Sequence, residues 1–354
     1  MSTVGAAAWG DVDPALHDEI EGLAVAARRR TVAVVVVCGL ALVIGAALSL
    51  LVGLTDEIGR ADVIPAVFGR ADGLADTIIH RNRAPRLIVA IFAGYLFGIS
   101  GAIFQRLVGN PLATPDVIGV TAGASTGAVT VLYLRINEPG AMQLGGLLGA
   151  TAAVLIIFVL SARDRQVSGF RLILVGIGVG ALFTAVTSYL LVRMEEVRTV
   201  LADRWLLGSL NGARWGDARL LALVAVAMSG AVVLLRRALS GLALGDVTAA
   251  GLGVPVSRVR FLALGAGAAA ATLTTSVTGP IGFVALVSGP VAARLCRRSE
   301  APGVAGLVGA TVIVTGDLIA RYAPAISVVP IGAVTAVLGG PLLLVLIMRG
   351  RSTS

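Results

Sequence analysis

Apolar stretches of roughly 20 residues recur along the whole chain, separated by short polar breaks. Each is long enough to cross about 30 Å of hydrocarbon as a helix. A water-soluble core has no use for so much apolar surface. Of 354 residues, 57% are hydrophobic and 14% charged, against roughly 25% charged in soluble domains. Mean hydropathy is +0.94. The expected fold class is an all-α integral membrane protein.

About ten transmembrane helices are predicted, over 31–54, 86–107, 117–135, 143–161, 171–193, 217–235, 259–279, 281–297, 302–322 and 330–348. Only "TGPIG" (278–282) separates the seventh from the eighth. Residues 1–30 read as a cytoplasmic, disordered tail: polar, acidic at first, then ending in Arg28, Arg29 and Arg30 with no small-residue cleavage site. With that end inside, inner loops carry Arg106, Arg236, Arg237, Arg258, Arg260 and Arg297, among others, and both termini are cytoplasmic. The outer loops also carry arginines, and the cluster Arg81, Arg83 and Arg86 runs against the rule.

Net charge is +8, and every basic residue is Arg. A P-loop needs a Lys at the phosphates, so this chain has no ATP site of that kind. The positive charge lies in short loops between spans, which speaks for membrane topology and not for nucleic acid. Two Cys (Cys38, Cys296) and two His (His17, His80) show no spacing for zinc, haem or a disulfide framework; Cys38 reads as a small packing residue. A proton-coupled transporter needs carboxylates within its spans. Here Asp317 is the main candidate, and Arg321 follows at i+4. An intramembrane enzyme needs a metal cluster or a catalytic dyad, which two distant His do not supply.

Many of the 45 Gly lie inside spans, as in "GVTAGASTG" (119–127) and "GIGVGA" (176–181). Small residues let helices approach closely in lipid. Residues 83–124 and 258–290 both run Arg, apolar span, Gly/Pro break, apolar span, without enough matching to make a repeat.

The segment "GNPLATPDVIGVTAGASTG" (109–127) interrupts two apolar runs. Pro111 and Pro115 end one helix and restart another, and Asn110 and Asp116 can cap helix ends at a sharp inner turn. With "RAPR" (83–86), "SGAIFQ" (100–105), "WLLGSLNG" (205–212), "ALGDVTAAGLGV" (243–254), "GPIGFVAL" (279–286), "GDLIAR" (316–321) and "PIGAVTAVLGGP" (330–341), it makes the sequence resemble the FecCD family, permease subunits of bacterial ABC importers for iron–siderophore, haem and cobalamin. The resemblance covers about 31–350, in order and at family spacing. It is strongest toward ferric enterobactin permeases, which implies a ferric siderophore, catecholate in the finest reading, ahead of haem or cobalamin.

The resemblance implies a BtuC-like permease fold, a multi-pass place in the bacterial plasma membrane and no enzyme activity in this chain. It implies no cofactor of the chain's own, ATP and Mg belonging to two partner ATPase subunits. An extracytoplasmic siderophore-binding protein and a second permease chain complete the expected partners, with a heterodimer favoured over a homodimer. Arg83, Arg86 and Arg321 match the arginines that receive acidic residues of the binding protein; anchoring of Arg heads at the interface is the structural alternative. Residues 242–260 match the ATPase coupling loop, as two short helices: Gly245 and Asp246 start one, Gly253 ends it, and Pro255 starts the second. Asn110, Pro111 and Leu112 match a cytoplasmic gate, with the helix turn as the alternative; residues 164–171 border the same exit. Two departures from the family pattern bear on local geometry or partner contacts. "SGPVAAR" (288–294) displaces a Pro and lacks a His or Gln, and Val328 replaces a Glu.

Overall fold

The computed structural model describes residues 14–52, 62–116, 119–163, 166–167, 169–297, 302–322 and 329–350. Helix α1 spans Pro14–Leu51, and two short helices, α2 (Val63–Val67) and α3 (Gly73–Ala75), follow. A π-helical stretch, Asp76–Arg83, leads into α4 (Ala84–Val108). Then come α5 (Val120–Tyr133), α6 (Ala141–Ser161), a two-residue pair of strands (Ala162–Arg163, Gln166–Val167), α7 (Gly169–Arg193) and α8 (Glu196–Leu206). The rest is α9 (Trp215–Leu242), α10 (Asp246–Gly251), α11 (Val256–Thr278), α12 (Val284–Cys296), α13 (Pro302–Tyr322) and α14 (Ile331–Gly350).

Seven described helices are long and apolar enough to cross a membrane, and three shorter apolar ones accompany them. All ten expected spans thus have a helix. Differences lie at the edges. Residues 14–30, expected to be disordered, are helical and continuous with the first span; α8 forms where only an outer loop was expected.

Helix α4 is the centre of the bundle, with α9, α11, α12 and α13 around it. Its N-terminal turn holds Pro85, where a missing N–H costs nothing. The same proline disfavours an ordinary turn just before it, and the widened π turn of Asp76–Arg83 lies there. At the other end Gly109, at φ 69°, stops the helix; the N–H groups of Gly109 and Asn110 donate to the carbonyls of Arg106 (3.3 Å) and Gln105 (3.1 Å).

Close packing comes from small residues. A Cβ on Gly94 of α4 would overlap the backbone of Gly309 on α13, and the reverse substitution fails in the same way. Without a hydrophobic drive between helices in lipid, such backbone contact is what holds them. Cys38 of α1 packs with Cys296 of α12 in a small buried cluster, and both thiols are free.

Pro290 sits inside α12 and cannot donate to the Leu286 carbonyl four residues back. The side-chain amide of Gln105 reaches across from α4 and does so instead, at 2.8 Å. Gly289 makes room for it, since a Cβ there would collide with the Gln105 amide oxygen. The displaced Pro of 288–294 therefore has a local partner inside this chain. Val328 lies outside the described residues.

Candidate functional site

Two ends of α4 define two regions. At 1.5 Å per residue, its 25 residues separate them by roughly 37 Å. The N-terminal end is the outer mouth of the sequence reading, and there Arg86 and Arg321 converge on Asp317. Arg86 donates from Nη2 (2.7 Å) and Nε (3.0 Å) to Oδ1 of Asp317 and from Nη1 to Asn211. Arg321 pairs with the other oxygen through the expected i+4 contact, and its Nη2 also donates to Ser49 of α1 at 2.6 Å. Asp317 is only 2% exposed, while the Arg86 and Arg321 side chains keep 13% and 17%. The two arginine side chains therefore keep a minor exposed part around a buried carboxylate.

Arg83 is turned elsewhere. Its Nη1 donates to the carbonyls of Leu50 (2.9 Å) and Val52 (2.7 Å), the end of α1, and the Tyr322 hydroxyl donates to Val52 as well (2.6 Å). A cation on terminal carbonyls complements the helix dipole. The structure thus brings Arg86 and Arg321 into one cluster and gives Arg83 a cap-like place beside it. Nearby, Trp215 at the start of α9 donates from Nε1 to the His80 carbonyl at 2.9 Å, which fixes that end of α9 at the outer mouth.

The 28-residue α9 carries the chain to the opposite end, where α10 follows. Gly245 precedes α10 at φ 96°, and Gly253 follows it at φ 79°. Gly253 and Val254 donate to the Ala250 and Ala249 carbonyls, both at 3.0 Å. Pro255 then opens α11. The four boundary residues sit where the sequence puts them, with one correction. The second helix is not short: it runs unbroken as the span α11. Asp246 and Arg260 clamp α10 to α11 with two hydrogen bonds, 2.8 and 3.1 Å. Leu244, Val247 and Leu252 stand exposed on this loop. Their exposure beside a polar clamp marks a surface suited to a partner.

The inner turn lies at this same end. Asn110 Oδ1 accepts from the Leu112 N–H at 2.9 Å, an Asx turn, and Leu112 is exposed. The expected helix caps are not formed: Gly109 ends α4, Asn110 closes a turn within the loop, and Asp116 makes no cap bond to α5, which begins only at Val120. Asn110 and Pro111 line a cavity of about 220 Å³ with Gln105, Arg106, Gly289 and Pro302.

A second, larger cavity was not legible in the sequence. It measures about 430 Å³ and is lined by Thr114, Asp116, Thr121, Leu207, Phe283 and Ala336, among others. Thr121 donates to Asp116; burial pushes the Asp116 carboxyl up, and this hydrogen bond pulls it partly back. Phe283 stands at φ 67°, with Val284 N–H donating to the Gly282 carbonyl (2.9 Å), a γ-turn that strains a bulky residue. Gly339 of α14 leaves room for its ring. The flanking glycines of "TGPIGF" were the available signal. Among the described residues no group of three His, Cys, Asp or Glu could hold a metal ion.

Among the described residues, seven candidate spans and three shorter apolar helices, with a charged mouth at one end and a clamped, apolar-faced loop at the other, define a polytopic membrane permease. The sequence pattern of the FecCD transport family matches residues 40–349, and the chain belongs to that family. Among its relatives, the ferric enterobactin transport system permease protein FepG of Escherichia coli (strain K12) is 34% identical over 290 residues, covering 82% of this chain and 88% of FepG. The vitamin B12 import system permease protein BtuC of Vibrio cholerae is also 34% identical, over 291 residues, 81% of this chain and 87% of BtuC. A solved chain described as of the metal-chelate ABC-transporter type, in an inward-facing conformation, superposes with a TM-score of 0.77 at 25% identity, covering 88% of this chain and 97% of that one. The chain is therefore a permease subunit of the ABC-importer kind, a multi-pass protein of the inner membrane.

Proposed function

We propose that this permease carries a ferric siderophore, with a catecholate as the finest reading, from an extracytoplasmic binding protein to the cytoplasm. Hydrolysis takes place in two partner ATPases, and the chain pairs with a second, similar permease. The observation that carries the reading is the separation of two partner-facing surfaces by the length of the bundle. Arg86 and Arg321 stay partly exposed at the outer mouth, and the loop around α10 presents Leu244, Val247 and Leu252 at the other end. Arg forks match carboxylates on a docking protein. A loop held rigid by Asp246 and Arg260 can pass on ATP-driven movement as a body.

The likeness to FepG supports the siderophore reading, and the equal identity to BtuC keeps cobalamin as the second reading. The test is affinity purification of the complex from native membranes in mild detergent, followed by mass spectrometry and an ATPase assay. An ATPase and a second permease should co-purify. Binding protein loaded with ferric catecholate should raise the ATPase rate, and cobalamin should not. Stimulation by cobalamin alone selects the second reading; recovery without any ATPase overturns the proposal.

A further inference from the structure

We propose that Asp317 is the internal counter-ion of Arg86 and Arg321, and that docking of the binding protein is an exchange of ion-pair partners on Arg86. This rests on the docking role given to these arginines above. Two guanidiniums share one carboxylate, so one positive charge of the cluster is not cancelled within it. Arg321 sits on the same helix as Asp317, at i+4, and is tied to α1 through Ser49. Its Nε is buried without a hydrogen-bond partner. Arg86 comes from α4, and among the described residues its Nη1 is held by the side chain of the exposed Asn211.

The arrangement answers a physical problem. A carboxylate 2% exposed cannot be left without a cation, because an orphaned buried charge costs several kcal/mol. With a single arginine, docking would strand Asp317. With two, Arg321 keeps Asp317 paired while Arg86 turns from Asn211 and Asp317 toward an incoming carboxylate. Asp317 thus acts as a positioning residue, holding Arg86 in reserve and setting how tightly the mouth grips its partner. A gripped partner must also leave, and the returning Asp317 competes for Arg86.

The test uses the assembled importer in lipid nanodiscs and the binding protein that stimulates its ATPase. Binding affinity, dissociation rate and salt dependence are read for single variants. Asp317→Asn removes the competitor, so binding should tighten about fivefold, mainly through slower dissociation. Asp317→Glu should stay near the parent. Asn211→Ala frees Nη1 of Arg86 without changing charge and should tighten binding about twofold. Arg86→Gln should weaken it about tenfold and flatten the salt dependence. A purely structural Asp317 gives the opposite sign: Asp317→Asn weakens binding along with Arg86→Gln, and that result overturns the exchange while leaving the docking reading intact. If Arg86→Gln and Arg321→Gln leave affinity unchanged, the docking reading itself falls, and the exchange with it. Should Asp317→Asn fail to assemble, Asn211→Ala decides: unchanged or weaker binding overturns the exchange.

Discussion

The side-chain amide of Gln105 donates to the carbonyl of Leu286 at 2.8 Å, across 181 positions of sequence. That carbonyl is the one Pro290 leaves without its helical donor. A helix break in one span is thus repaired by a polar side chain of another.

The pair predicts a dependence. Gln105→Ala should leave the Leu286 carbonyl unsatisfied and destabilise the chain by about 1–3 kcal/mol. With Pro290→Ala, the N–H of residue 290 returns, and the cost of losing Gln105 should fall to a few tenths. Thermal unfolding of the parent, the two single variants and the double variant in detergent reads the coupling. Equal costs in both backgrounds refute the repair.

At Gly253 the constraint is conformational. No atom lies within 4 Å of where its Cβ would be, but φ is 79°. Gly253→Ala should cost about 1–2 kcal/mol, with Gly253→Asn milder. Gly253→Glu should abolish uptake while the chain still inserts, because it adds charge to the loop proposed to meet the ATPase. Normal transport by Gly253→Glu would sink the coupling-loop assignment.

The Asp246–Arg260 clamp should matter more to transport than to stability. Asp246 is 54% exposed, and pairs of that exposure are worth up to about 1 kcal/mol. Asp246→Arg should lower uptake several-fold with little change in melting temperature. Combined with Arg260→Asp, the reversed pair should recover most of it. Radiolabelled iron uptake, corrected for membrane expression, provides the comparison.

Backbone contact between α4 and α13 leaves no room for a larger side chain. Gly94→Val should prevent assembly, since the new atoms would fall on the Gly309 backbone. Gly265→Ala in α11, where nothing lies within 4 Å, should be neutral or slightly stabilising. Size-exclusion profiles of the two proteins separate these outcomes.

The spans were legible because hydrocarbon demands long apolar runs. Glycines marked the close contacts, and the boundaries of α10 followed from Gly245, Gly253 and Pro255. Local spacing also revealed the Asp317–Arg321 pair, since i and i+4 share a helix face. It could not reveal that Arg86, 231 positions away, takes the same carboxylate. Nor did it separate Arg83 from the other two arginines, because the end of α1 that Arg83 caps is a backbone feature without a side-chain signature. Helix α8 escaped because its run, "EVRTVLADRWL", mixes charges with apolar residues and is too short to register as a span. The strained Phe283 is set by its neighbours in space, Gly339 above all.

The seam between α4 and α13 has one more consequence. Two helices touching backbone to backbone have no side-chain layer to slide on, so they tilt together as a strut. One end of that strut carries Arg86 and Arg321, and the other borders the cavity beneath Asn110 and Pro302. A few degrees of tilt at the mouth would reappear as ångströms of displacement at the inner turn, with no relay of rotamer changes in between.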